Sequence, residues 1–202
     1  MKRPVVSKAG GFTLIELLVT LGLGMVVLAA VTTTFMGQSR FYSAQEQVNE
    51  MEQNARGALD LITRELKMAG YRPTGMALTG VTYSTSQLMI QADLDASGTI
   101  CTSSCTSTTV NEQITYTYDS ANKQIKRAQG SSAPVVLADN ITAFTFSYLD
   151  SLGAPTTVTA DIRQVSISIT AQTAKPDPNY SANGGYRTYQ ASATITPINL
   201  GL

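Results

Sequence analysis

The sequence GFTLIELLVTLGLGMVVLAAVTTTFM occupies residues 11–36, and Glu16 is its only charged residue. At about 1.5 Å per helical residue, the twenty-five residues from Phe12 to Met36 exceed the roughly 30 Å hydrocarbon thickness of a bilayer. The segment therefore predicts one transmembrane helix. A carboxylate inside such a segment is costly and is a candidate functional group. The alternative for Glu16 is an acid near the helix end whose side chain reaches the lipid headgroups.

Residues 1–11, MKRPVVSKAGG, precede this segment and carry only the basic charges of Lys2, Arg3 and Lys8. A basic stretch before an apolar run is typical of a targeting leader. In a secretory signal peptide the small residues of the cleavage site follow the apolar core, whereas Ala9, Gly10 and Gly11 come before it here. The positive charges predict that residues 1–11 stay in the cytoplasm and that the C-terminal portion lies across the membrane.

The string Gly11-Phe12-Thr13-Leu14-Ile15-Glu16 resembles the processing signal of type IV pilins and of type II secretion pseudopilins. The resemblance implies that a prepilin peptidase/methyltransferase removes residues 1–11 by cutting between Gly11 and Phe12. It also implies that Phe12 is then N-methylated. Residues 12–36 would form the transmembrane and assembly helix, in which Glu16 pairs with the free amine of Phe12 in a neighbouring subunit.

A helical pattern continues beyond the apolar segment and predicts an amphipathic periplasmic helix over residues 37–70. Apolar residues recur at spacings of three and four, at Val48, Met51, Ala55, Leu59, Ile62, Leu66 and Ala69. Charged residues flank the stripe: Glu46, Glu50, Glu52, Arg56, Asp60, Arg64, Glu65 and Lys67. Glu52/Arg56 and Asp60/Arg64 are opposite charges four residues apart, and we expect these helix pairs to be solvated. Gly70 is predicted to terminate the helix, with Pro73 just beyond it.

Residues 71–202 have the composition of a β-rich globular domain, with short Thr, Ser, Val, Ile and Tyr runs between turn residues. The candidate strands are 78–83, 86–92, 113–118, 123–128, 134–138, 141–149, 158–171 and 187–196. Apolar residues alternate at Phe144, Phe146 and Tyr148, and again at Val165, Ile167 and Ile169, which places each set on one core face. The predicted fold is α+β, with one antiparallel sheet or two small sheets packed against the amphipathic helix.

Three later stretches extend the resemblance to PilW-type minor pilins: residues 64–71, Asp93-Leu94-Asp95, and residues 162–167. The implied role is a low-abundance filament subunit that primes pilus assembly, consistent with a place at the tip and a part in adhesion or twitching motility. The implied partners are other minor and major pilins, the inner-membrane assembly platform and the lipid bilayer. J-type pseudopilins of type II secretion share this layout and are the alternative.

The composition argues against several other functions. Fourteen basic and fourteen acidic residues give a formal net charge of zero, so nucleic-acid binding is not expected. The absence of histidine excludes Ser-His and Cys-His nucleophile systems and histidine metal sites. We therefore expect no enzymatic activity and no cofactor.

Two features of the β-rich portion are candidate sites. Cys101 and Cys105 are the only cysteines, and in the periplasm we expect them to form a disulfide. They are too few for a structural zinc site. Asp93 and Asp95 resemble the start of a calcium loop, yet Ser104 occupies the position where a bidentate glutamate is required. An ordinary turn is the favoured interpretation of this stretch.

The processing signal makes the first testable prediction. We expect the mature chain to begin at N-methyl-Phe12, and Gly11→Leu to leave the leader attached because the peptidase site requires a small residue before the cut. Mass spectrometry of the N-terminal peptide measures both. A mature chain that retains Met1, or that begins elsewhere, would contradict the resemblance.

Overall fold

The computed structural model describes residues 10–75, 77–102 and 112–200. Within them the chain forms one long helix, α1 (Leu14–Met68), followed by eight strands and two short 3-10 turns (Thr159–Asp161 and Ala182–Gly185). The strands are β1 (Val81–Thr82), β2 (Gln87–Gln91), β3 (Gln113–Asp119), β4 (Gln124–Gln129), β5 (Val135–Ala138), β6 (Ile141–Leu149), β7 (Gln164–Gln172) and β8 (Thr188–Ile195). The predicted α+β class is confirmed.

The chain divides into two units, Met1–Gln45 and Glu46–Leu202. The described part of the first unit is dominated by the N-terminal portion of α1. Its apolar side chains are exposed; Val27, for example, is 60% exposed and Phe35 70%. An 18-residue window of α1 near the N-terminus has a mean hydropathy of 2.5 and none of it is buried. By length and composition this stretch is able to cross a bilayer.

The second unit contains the remainder of α1, which supplies one wall of the hydrophobic core. Its buried residues are Met51, Ala55, Ala58, Ile62 and Leu66. Val48 and Leu59 are partly buried against the same cluster. The predicted apolar stripe is therefore confirmed, with Ala58 as an additional member. Small side chains at positions 55 and 58 let the backbone of α1 approach the sheets closely.

The end of α1 is held by two glycines with positive φ. Gly70 has φ +78° and follows the helix as predicted, and its N–H donates to the carbonyl of Gln91 at 2.9 Å. Gly80 has φ +72°, and a Cβ there would lie 2.6 Å from the Gly70 nitrogen. Because only glycine permits this approach, the helix end and the β1–β2 hairpin are packed backbone against backbone.

The strands form two antiparallel sheets. Sheet A has five strands in the order β1-β2-β3-β4-β5, and sheet B has three in the order β6-β7-β8. Each of the eight predicted strand segments overlaps one of them, and β3, β4 and β7 each extend one residue beyond the predicted C-terminal end. Buried side chains alternate along β6 and β7 as predicted, with Phe144, Tyr148, Val165, Ile167 and Ile169 in the core. Phe146 is partly buried and its ring centroid lies 5.5 Å from that of Phe144.

Two predicted strands needed correction. The segment 158–171 begins with the 3-10 turn Thr159–Asp161, and β7 starts only at Gln164. The turn is held because Arg163 Nη1 donates to the carbonyls of Ala160 and Ile162, each at 2.8 Å. The segment 78–83 shortens to the two residues of β1, since the positive φ of Gly80 interrupts the extended backbone.

A charged cluster ties α1 to sheet A. Arg127 Nη2 lies 2.7 Å from Glu65 Oε1, with side chains 20% and 15% exposed, respectively. The hydroxyl of the fully buried Tyr116 donates to the same carboxylate. Burial, and then the neighbouring Glu65 carboxylate, raise the pKa of Tyr116, so its hydroxyl stays a donor. The helical pattern did not predict this role of Glu65, because its strand partners lie more than fifty residues away in sequence.

This cluster leads to a stability prediction. Arg127→Met should lower the free energy of unfolding by about 3 kcal/mol, because it leaves the Glu65 carboxylate largely buried without its cation. The control is Arg56→Met, which breaks an exposed ion pair with Glu52 and should cost much less. Urea denaturation of the full chain in detergent measures both. Equal losses in the two variants would contradict a dominant role for the Glu65 cluster.

Candidate functional site

The candidate site begins at the N-terminus of α1. Thr13 directly precedes the helix, and Glu16 is its third residue. The Glu16 N–H donates to Thr13 Oγ1 at 3.3 Å, while the Thr13 hydroxyl and N–H donate to Glu16 Oε2 at 3.3 and 3.4 Å. This is the reciprocal arrangement of a capping box, with hydrogen bonds at the long end of the normal range. The carboxylate therefore lies at the positive end of the helix dipole.

The predicted cleavage junction lies just before this cap. Gly10, Gly11 and Phe12 adopt no regular secondary structure, and Phe12 is 85% exposed. A Cβ built on Gly11 would meet no described atom within 4 Å. The peptide bond between Gly11 and Phe12 is therefore not shielded by any described part of the chain. Residues 1–9 of the predicted leader lie outside the described residues.

Glu16 is both a helix-capping residue and an accessible charged group. The pattern Thr-x-x-Glu before an apolar run is a sequence signature of a helix N-terminus, and our sequence analysis did not use it. The cap bonds use one carboxylate oxygen, Oε2. Glu16 is exposed, so the carboxylate remains accessible to a cation from outside the chain.

The stretch that contains the calcium candidates Asp93 and Asp95 is organised by three carboxylates. Asp93 and Asp95 are joined by Glu112, which our sequence analysis missed, and one carboxylate oxygen of each lies within 4.8 Å of the others. Glu112 is 2% exposed and accepts the N–H groups of Leu94 at 2.7 Å, Asp95 at 3.2 Å and Cys101 at 3.0 Å. Ser104, the position where a calcium loop requires glutamate, lies outside the described residues.

Backbone amides also satisfy the aspartates. The fully buried Asp93 accepts the N–H groups of Ser97 at 3.1 Å and Gly98 at 3.2 Å, and the Thr74 hydroxyl at 3.1 Å. Hydrogen bonds from Ser97 lower the pKa of Asp95. The three carboxylates thus organise the turn at residues 93–98 through its amides. This role requires no cation.

The cysteine loop is only partly described. The described Cys101 does not carry a free thiol. Cys105 lies outside the described residues, so the Cys101–Cys105 disulfide stays a prediction. The N–H of Cys101 is held by Glu112 and its carbonyl accepts the Glu112 N–H at 3.3 Å. One end of the loop is therefore fixed to the start of β3.

Two protein-family matches together cover the N-terminal segment and most of the remaining chain. The prokaryotic N-terminal methylation motif matches residues 6–32, which include the Gly11–Phe12 junction, Thr13 and Glu16. The family described as prepilin peptidase-dependent protein B matches residues 44–195. The chain belongs to this family. It is thus a member of the type IV pilin superfamily, as the resemblance predicted.

Solved structures similar to this chain include a pilin-like protein. A type IV-like pilin from Thermus thermophilus shares 14% sequence identity, covers 71% of this chain and 94% of its own chain, and gives a TM-score of 0.47. No curated protein matches the sequence.

The carboxylate network of this family member makes a further prediction. Glu112→Gln should destabilise the chain by about 1–3 kcal/mol, because a carboxamide nitrogen cannot accept a hydrogen bond from the buried amides that Glu112 binds. The exposed Glu50→Gln is the matched control and should change little. Thermal unfolding followed by circular dichroism compares them. Wild-type stability of Glu112→Gln would contradict the role assigned to this side chain.

Proposed function

We propose that the chain is a minor pilin of a type IV pilus, a structural subunit without enzymatic activity that helps to prime filament assembly. The observation that carries the proposal is Glu16, the single charge in the exposed apolar segment 12–36, located about one helical turn after an accessible Gly-Phe junction. The family match supports processing by a prepilin peptidase. The lipid bilayer, the assembly platform and other minor and major pilins are the proposed partners.

The exposed apolar surface of α1 must be covered both before and after filament assembly. Side chains such as Leu18, Val27 and Phe35 are more than half exposed, and water is a poor environment for them. Before assembly the bilayer covers them, with the leader in the cytoplasm and the β-rich unit in the periplasm. In the filament, the corresponding helices of other pilins replace the lipid. A Cβ placed on Gly22 or Gly24 would have no described atom within 4 Å outside the helix's own backbone, so another helix could approach closely at these positions.

Cleavage at Gly11 creates the cation that Glu16 requires. The new α-amine of Phe12 is positively charged and lies at the end of a helix whose dipole does not favour cations. In a neighbouring subunit, the Glu16 carboxylate offers it a partner inside a medium of low dielectric constant, where charge pairing is strong. Pairing between subunits therefore offsets the cost of both charges and selects processed chains.

A pseudopilin of a type II secretion system would use the same anchor and the same charge pair. The two roles differ in what fails when the gene is deleted. A minor pilin should be required for surface pili and twitching, whereas a pseudopilin should be required for export of secreted enzymes. Normal piliation together with lost secretion would favour the pseudopilin.

The capping box permits a sharper test of Glu16 than deletion of its side chain. Glutamine also occupies this position in capping boxes, so Glu16→Gln keeps the cap and removes the charge. We expect Glu16→Gln and Glu16→Ala to be cleaved and inserted, yet to fall at least tenfold in co-purification with other pilins. Thr13→Ala removes the cap, keeps the charge and should assemble.

The opposite pattern would assign Glu16 to helix capping alone. In that case Glu16→Gln would co-purify with pilins at wild-type levels, and Thr13→Ala would fail together with Glu16→Ala. Immunoblots of sheared filaments and of membrane fractions separate assembly from processing and insertion. Wild-type assembly of Glu16→Gln would overturn the docking role.

A further inference from the structure

A cleft of about 350 Å³ lies in the second unit. Four parts of the chain line it: Arg72 and residues 77–79 after α1, Thr159 and Ala160 of the 3-10 turn, Ile162 and Arg163 just before β7, and Asn199–Leu200. Its volume is at the lower end of the roughly 300–1,000 Å³ range of ligand pockets. Neither the pilin family match nor the proposed assembly mechanism gives this cleft a role.

The cleft has a rigid wall. A Cβ on Gly80 would lie 2.6 Å from both the Gly70 nitrogen and the Leu200 Cδ2 atom. A Cβ on Gly70 would lie 3.0 Å from the carbonyl oxygen of Asn199. The helix end, the approach to β1 and residues 199–200 are thus packed as closely as glycine permits. The lining residues on these segments are therefore held in place before any ligand arrives.

Two guanidinium groups line this cleft, and they differ in how they are held. Arg163 is half-buried and uses one nitrogen, Nη1, for the carbonyls of Ala160 and Ile162, which fixes its plane. Arg72 is also half-buried, yet its side chain makes no ion pair or hydrogen bond with the described residues. A half-buried arginine without a counter-charge is poorly compensated.

The rest of the described lining favours an anion that has an apolar stem. No aspartate or glutamate is among the described lining residues, so the two cations are not neutralised there. The Thr159 hydroxyl accepts the Tyr83 N–H at 3.1 Å and keeps its own proton to donate. Leu78 and the partly buried Leu200 add apolar surface beside these polar groups.

We propose that this cleft binds an acidic peptide segment of a partner protein, with a carboxylate held between Arg72 and Arg163. Guanidinium groups bind carboxylates through paired, charge-assisted hydrogen bonds. The methylene groups of a glutamate side chain fit against Leu78 and Leu200, whereas inorganic phosphate carries no apolar group that could contact them. The proposal does not depend on the assembly role of Glu16, because the cleft lies in the second unit.

Isothermal titration calorimetry of the full chain in detergent micelles tests the site. The probe is an acetylated and amidated tetrapeptide of glutamate, and its controls are the glutamine tetrapeptide and inorganic phosphate. We expect saturable binding of the acidic peptide only, weakened when salt is raised from about 50 to about 500 mM. Arg72→Gln should weaken binding about tenfold or more, since it removes a charged hydrogen-bond donor.

Arg64→Gln is the matched control, because it removes an exposed arginine of α1 that does not line the cleft. The Arg72 side chain makes no ion pair or hydrogen bond with the described residues, so its substitution should leave the fold intact, and circular dichroism checks this. Peptide binding that falls in Arg72→Gln and is unchanged in Arg64→Gln supports the site. Absent or non-saturable peptide binding, equal binding by both variants, or tighter binding of phosphate would overturn it.

Discussion

The structure depends on one constraint: the first half of a 55-residue helix is apolar and no described residue covers it. Water cannot be the working environment of a helical surface on which residues such as Leu14, Val27 and Phe35 are more than half exposed. Lipid or other apolar helices must cover it. A globular protein would place such a helix in its own core, whereas this chain keeps it available for external partners.

The proposed role of Glu16 depends on this apolar environment. On a water-exposed helix, a glutamate that completes a capping box would be an ordinary terminus. Inside an apolar environment, the same carboxylate needs a cation, and processing after Gly11 would supply one on every subunit. The cap and the charge pair are compatible, because the cap positions the carboxylate at the end of the helix where a neighbouring amine would approach. The second half of α1 differs from the first, because its apolar stripe is buried in the core of the β-rich unit.

The sequence predicted much of the fold because its local patterns agree with the tertiary structure. The stripe from Met51 to Leu66 has helical spacing, and burial alternates along β7 and along β6 from Phe144 to Tyr148, so periodicity alone identified their buried faces. Gly70 could be predicted to terminate α1 because its left-handed conformation favours glycine. The two strand errors arose where a single feature broke the local pattern, namely the positive φ of Gly80 and the Arg163 bonds that hold a 3-10 turn.

The side chains that were missed are those whose partners are distant in sequence. Glu65 has the same local context as the solvated charges of α1, and only the pairing of β3 with β4 brings Tyr116 and Arg127 together opposite it. Glu112 accepts hydrogen bonds from the backbone amides of Leu94, Asp95 and Cys101, and no sequence pattern predicts such contacts. Thr13 is different, because its capping partner Glu16 lies three residues away and the Thr-x-x-Glu pattern is local in the sequence.

The central claim is that other pilin helices cover the apolar half of α1 in the assembled state. A photo-cross-linking amino acid placed at Val27, in living cells with intact filaments, tests it directly. We expect adducts whose partner peptide is the apolar N-terminal helix of another pilin-type subunit, and we expect Glu16→Gln to abolish them. Processed chain that forms adducts with lipid alone, or with no pilin-type protein, would contradict the claim.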